Sequence, residues 1–192
     1  MNTSTLSPTM EIKNSPLSNY TVNPKVSEKQ FDEFTALIAN LCEIPKAVIT
    51  LLDGQKLWIK SGFGISDRYL NLSKSYCQFT IGSNDLTEFS DVDTDPSLTD
   101  CEWRHDHPHI KFYAGVPLVS DQDGTIGTLC IMDSVPHVLT ERQKQMLQDL
   151  GKMVSSLMAS RRNKVIVKEE LRRPTDHPGM SLRGIRTTSR SW

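Results

Sequence analysis

Apolar side chains are scattered without period among Ser, Thr, Asn and Pro from Met1 to Pro24, and from Val26 onward they fall into regular spacings. A stretch of the first kind buries too little to offset the entropy of ordering it, so residues 1–25 are expected to form a mobile arm. Ser27 followed by Gln30 has the form of a capping box, and Val26 with Phe31 that of the accompanying hydrophobic staple. Phe31, Phe34, Ile38 and Leu41, joined by Leu37, then recur at helical spacing, which predicts a first helix with these residues on its buried face, closed by Pro45.

After this helix the period shortens. Ala47–Leu52 is an apolar run rich in β-branched residues, Asp53-Gly54 tolerates the positive φ of a tight turn, and Lys56–Ser61 returns as a second strand. In that strand Leu57 and Ile59 alternate with Lys56, Trp58 and Lys60, which is the period of a strand with unlike faces. Gly62 to Asp100 is irregular: a loop, a short helix around Tyr76–Ile81, a strand near Thr87–Asp91 and an acidic turn. Two nearly continuous apolar strands, Lys111–Val119 and Thr125–Asp133, flank the turn Asp121-Gln122-Asp123-Gly124 and lack the alternation of a half-exposed sheet, so they are expected at its centre. Thr140 and Gln143 form a second capping box. It opens a long helix with Met146, Leu147, Leu150, Met153, Val154, Leu157 and Met158 at helical spacing, extending past Arg161 towards Pro174, with a basic, disordered tail beyond.

Composition narrows the partners. The 192 residues carry a net charge of −1, which gives no whole-chain field for nucleic acid or an anionic membrane surface. The N-terminal stretch lacks the basic and apolar regions of a signal peptide, and no apolar run nears the roughly 20 residues of a membrane span. A cytoplasmic protein is therefore expected. Cys42, Cys77, Cys101 and Cys130 are widely spaced and favour reduced thiols over a disulfide framework.

The order helix, hairpin, irregular segment, hairpin, long helix implies an α+β fold with helices beside an antiparallel sheet. Three blocks carry a more specific resemblance. Phe31–Ile65 (FDEFTALIANLCEIPKAVITLLDGQKLWIKSGFGI) resembles the start of GAF domains, and His109–Leu118 (HIKFYAGVPL) with Gly127–Asp133 (GTLCIMD) resembles their later core strands. Ser75–Ile81 (SYCQFTI) is similar to the pocket helix of a bacterial subgroup. The resemblance spans residues 26–160 and implies a GAF/PAS-like central antiparallel sheet of five or six strands. It also implies a small-molecule pocket on one face, and long terminal helices on the other that form a homodimer interface. GAF domains bind cyclic nucleotides, bilins, haem or amino acids, or act as dimerising input modules, so no single cofactor is implied.

Eight residues are candidate pocket contacts: Trp58, Phe63, Tyr76, Cys77, Phe79, Phe112, Tyr113 and Cys130, with core filling as the alternative for each. In phytochrome-like GAF domains a cysteine near Cys77 carries a bilin and is followed by histidine. Here Gln78 follows, which favours a small buried thiol. Cys101, His105, His107 and His109 include metal-ligand types at a spacing that suits no regular element, so no metal is assigned. Asp121, Asp123 and Gly124 read as a turn, since the acidic ligand a calcium loop needs falls at Met132. Glu88, Asp91, Asp93, Asp95, Asp100 and Glu102 read as a solvated acidic rim. No catalytic residue is assigned. The expectation is a non-enzymatic sensory module that binds a small molecule, dimerises, and modulates a signalling protein such as a histidine kinase in trans. A thiol enzyme resembling free methionine sulfoxide reductase, using Cys77, Cys101 and Cys130, and a ligand-free dimerising module are the alternatives.

Overall fold

The computed structural model of the chain describes Tyr20, residues 28–99, Arg104 and residues 107–172, the last of these from 163 onward by backbone alone. The elements are α1 (Lys29–Cys42), β1 (Lys46–Asp53), β2 (Lys56–Phe63), β3 (Tyr69–Asn71), α2 (Cys77–Ile81), β4 (Thr87–Phe89), β5 (Phe112–Ser120), β6 (Gly124–Asp133) and α3 (Glu141–Arg172). The strands form one six-stranded sheet in the order β3-β2-β1-β6-β5-β4. Every neighbouring pair is antiparallel.

Both faces of this sheet are covered, which explains the continuous apolar runs of its central strands. On one face α1 and α3 pack against Ala47, Ile49 and Leu51 of β1, Leu129 and Ile131 of β6, and Phe112, Ala114, Val116 and Leu118 of β5. On the other, α2 and the segments around β3 and β4 pack against Val48, Leu52, Leu57, Tyr113, Cys130 and Met132. Alternate residues of the same strands thus serve two separate cores. Both hairpins place glycine in the left-handed region at their turns, Gly54 at φ 59° and Gly124 at φ 69°.

The second capping box forms as its spacing predicts. Thr140 N donates to Gln143 Oε1 at 2.9 Å and Gln143 N donates back to Thr140 Oγ1 at 3.3 Å. At α1 the capping Ser27 and the staple residue Val26 lie outside the described residues. Glu28 occupies the N-cap with extended backbone and no side-chain cap bond.

The buried face of α1 differs from the expected one. Phe31, Thr35, Ile38, Ala39 and Cys42 point inward, whereas Leu37 and Leu41 are 45% and 44% exposed. Small side chains at 35 and 39 let the helix lie close to β2, which turns the bulkier leucines outward.

The alternation of β2 is interrupted at Lys60. The register passes from Ile49↔Ser61 to Thr50↔Ile59, leaving Lys60 as an extra residue without a partner on β1. This bulge turns both Lys60 and Ser61 towards α1. There the Lys60 side chain is fully buried, Nζ donating to Glu28 Oε1 at 2.5 Å and lying 5.4 Å from the Phe31 ring centroid. Ser61 Oγ donates to Asp32 Oδ1 at 2.6 Å. Arg161 of α3 reaches the other oxygen of Glu28 and covers Phe31 at 4.9 Å. One carboxylate therefore ties together the start of α1, the bulge of β2 and the middle of α3.

Candidate functional site

The face away from α1 and α3 holds a feature that apolar packing does not require. Thr50 of β1 and Thr128 of β6 face each other from neighbouring strands, their hydroxyl oxygens 2.7 Å apart and both fully buried. Thr50 Oγ1 also accepts from Thr128 N at 3.2 Å. Thr128 Oγ1 in turn donates to Cys77 Sγ at 3.6 Å. The result is a chain of hydrogen bonds that ends on a sulfur at the first residue of α2.

Cys130, two residues beyond Thr128 on the same face of β6, and Tyr113 share the buried core of Cys77, and Ser75 Oγ donates to the Leu72 carbonyl at 3.1 Å. Cys130 also lies 3.7 Å from the Val48 carbonyl. The nearby Cys130 thiol, with the hydroxyls of Thr128, Tyr113 and Ser75, outweighs burial and holds the Cys77 thiol below its ordinary pKa. The neighbouring Cys77 sulfur and burial push Cys130 well up. Tyr113, raised by burial and by the neighbouring sulfurs, stays a phenol. Burial alone drives Cys42, on the opposite face, to about 11.

Gly115 makes room for this arrangement. A Cβ there would stand 2.6 Å from Tyr113 Oη and 3.0 Å from Thr80 Oγ1, the two hydroxyls that bond each other at 2.7 Å. Aromatic rings close the cluster: Tyr76 against Tyr113 at 5.6 Å, Phe79 against Phe89 at 5.4 Å, and Phe89 against Tyr113 at 6.0 Å between centroids.

Of the eight candidate contacts, Tyr76, Cys77, Phe79, Tyr113 and Cys130 meet here. Trp58 and Phe112 belong to the helix-side core and are corrected accordingly. Trp58 alternates with the inward Leu57 and donates to Asp53 Oδ2 at 3.1 Å, while Phe112 lies edge-on to His137 at 5.5 Å. Phe63, at the end of β2, is 40% exposed. Thr50, Ser75, Thr80, Thr128 and Phe89 were not singled out from the sequence, although Thr50 and Thr128 each interrupt an otherwise apolar run, and that interruption was the available signal.

The other candidates resolve into structural roles. Asp93 pairs with Lys111 at 2.5 Å and with Arg104, and Glu88 pairs with Lys144 at 3.2 Å while accepting from Leu139 N. Asp123 Oδ2 accepts from Arg162 at 2.9 Å and from Tyr20 at 2.8 Å in the β5–β6 turn. His107 and His109 lie 5.9 Å apart, and burial with the nearby Lys46 and His107 lowers the pKa of His109. Cys101, His105, Asp100 and Glu102 lie outside the described residues. Among the described residues no three acidic, His or Cys side chains group as a metal site. A cleft of about 520 Å³ opens on the helix side between Asp85, Pro117, Val119, Gln148, Lys152 and Ser155, and no residue of the sulfur cluster lines it.

A sheet with two cores, one under the terminal helices and one enclosing polar groups beneath a short helix, defines a scaffold of the α+β class. The chain belongs to the GAF domain family, whose model matches residues 27–158. GAF domains are sensory and regulatory modules of signalling proteins. A cyclic di-GMP phosphodiesterase of Pseudomonas aeruginosa is 28% identical over 144 residues, 74% of this chain, and the match spans only 24% of that relative's length. Among solved structures, the blue-light absorbing form of the PixJ GAF domain of Thermosynechococcus elongatus aligns with a TM-score of 0.60 at 14% identity. It covers 74% of this chain and 92% of that one. A type II free methionine-R-sulfoxide reductase of Thermoplasma acidophilum aligns at 0.57 and 18% identity, covering 69% and 92% respectively. At these identities the two structures speak for the fold. Among the described residues no helix is long and apolar enough to cross a membrane.

Proposed function

We propose that this chain is a non-enzymatic, cytoplasmic sensory module that binds a small molecule on the α2 face of its sheet and modulates a signalling partner, such as a histidine kinase, in trans. The observation that carries this reading is the buried polar cluster of Thr50, Thr80, Tyr113, Thr128, Cys77 and Cys130 on the face opposite α1 and α3. Buried hydroxyls cost free energy unless satisfied, and a purely apolar core would serve stability better. Homodimerisation is part of the proposal, supported by exposed Leu37, Leu41 and Met153 on the helix side. Native mass spectrometry of gently purified protein, compared with its denatured mass, tests the reading. A retained small molecule supports it, and a clean apo dimer counts for the ligand-free dimerising module instead.

A second reading, a thiol enzyme acting on free methionine sulfoxide, is favoured by the placement of the free thiols of Cys77 and Cys130 in one buried core. Turnover with a dithiol reductant, lost in Cys77→Ser, would establish it; none in a folded sample removes it.

A further inference from the structure

We propose that Tyr20 is a latch that fastens the N-terminal stretch to α3 through Asp123, so that withdrawing Tyr20 loosens α3 where it leaves the helix-side core. Tyr20 falls in the stretch whose composition predicts mobility, yet it is 4% exposed and belongs to the core beneath α1 and α3. Its hydroxyl donates to Asp123 Oδ2 at 2.8 Å, and Arg162 Nε of α3 donates to the same oxygen at 2.9 Å. One carboxylate oxygen in the β5–β6 turn thus holds a residue from before α1 and a residue of α3 at once. Burial pushes the Tyr20 phenol up to about 12, so it remains a donor throughout the neutral range.

The place of the contact along α3 gives it leverage. Among the described residues Met158 is the last apolar side chain of α3 in the helix-side core. One turn further, Arg161 reaches Glu28 and Gln30, while Arg162 reaches Asp123. Polar contacts rather than apolar packing therefore set where α3 lies from this point. The Arg162 and Asp123 side chains are only 18% and 13% exposed, so their pairing is stronger than that of a solvated surface pair. Tyr20 adds apolar burial through its ring and direction through its hydroxyl. Its withdrawal takes one donor from Asp123 and opens the carboxylate to water, which weakens the hold on Arg162. The coupling is reciprocal: displacing α3 at Arg162 weakens the seat of Tyr20 by the same factor. A partner that grips the N-terminal stretch would thereby act on α3 without passing through the α2 face, so the inference stands apart from the ligand reading.

Two measurements on the full chain test it. In nitration by tetranitromethane, mapped by mass spectrometry, Tyr69 at 53% exposure should react while Tyr20 stays protected with the fully buried Tyr76 and Tyr113. Arg162→Met should raise nitration of Tyr20 severalfold and leave Tyr76 and Tyr113 protected. In hydrogen exchange, Tyr20→Phe keeps the ring and removes the hydroxyl. It should speed exchange about tenfold in residues 121–124 and in α3 around Arg162, the factor expected for one hydrogen bond to a charged group, with β1 and β6 unchanged. If Arg162→Met does not fold, the wild-type nitration map and Tyr20→Phe decide together. Nitration of Tyr20 as fast as Tyr69 in the wild type overturns the latch. So does a Tyr20→Phe chain in which α3 exchanges at the wild-type rate, or one in which every strand accelerates alike, because Tyr20 is then ordinary core filling.

Discussion

Replacing Glu28 with Gln tests the reading of the β2 bulge. Lys60 has a fully buried side chain, and Glu28 Oε1 sits 2.5 Å from its Nζ. Removing one partner of a buried pair costs about 3–5 kcal/mol, because the remaining charge has left water and loses that ion pair. Some of that loss belongs to Arg161, which shares Glu28 but remains 16% exposed. A double-mutant cycle with Arg161→Ala separates the two, and the Arg161 share should be about 1 kcal/mol or less. The companion change Lys60→Met removes the charge and keeps the stem, so Glu28→Gln with Lys60→Met should recover most of the loss.

For a domain of this size, about 4 kcal/mol corresponds to a fall in Tm on the order of 10–20 °C, measurable by calorimetry or denaturant titration. The loss should also appear on acidification. Burial works against the Glu28 charge, but hydrogen bonds from Lys60 and Arg161 outweigh it and hold the carboxyl below its ordinary value. The stabilisation is therefore full above the unfolded value of about 4.3 and disappears as pH falls through the lower folded value. A Glu28→Gln variant that unfolds within about 1 kcal/mol of wild type at pH 7 would refute the argument that the bulge holds a charge in need of this partner.

Four further outcomes follow from the same geometry. Gly115→Ala should cost about 1–3 kcal/mol by denaturant titration, since the new methyl group drives into Tyr113 Oη and Thr80 Oγ1. Thr50→Val should cost about 1–3 kcal/mol and, by loosening Thr128, raise the pH midpoint for alkylation of Cys77, read by mass spectrometry. Thr140→Ala breaks the reciprocal cap of α3 and should lower stability by about 1 kcal/mol. Leu41→Glu with Met153→Glu should leave the melting profile nearly unchanged while converting a dimer to monomer by analytical ultracentrifugation; a persistent dimer places the contact elsewhere.

The elements most visible in the sequence were those whose local chemistry and burial agree. Thr140 with Gln143, Asp53-Gly54 and the two central apolar strands appear where their patterns place them. β3 spans Tyr69–Asn71, too short to carry a period, and it exists because Leu57 and Leu70 pair across the sheet edge. The family blocks led to Tyr76, Cys77, Tyr113 and Cys130, but aromatic character cannot report which face a residue takes. Trp58 and Phe112 lie on the helix side through strand parity, which depends on register. The inward turn of Lys60 is hidden for a related reason: one unopposed residue resets alternation, and nothing in KLWIKSGF announces a bulge.

β6 lies between β1 and β5 and is hydrogen-bonded along both edges. Its residues Leu129 and Ile131 bear on the terminal helices while Thr128 and Cys130 bear on α2. A strand held on both edges cannot yield sideways, and its two faces are committed to different cores, so a substitution in β6 that changes side-chain volume on one face is felt as strain on the other.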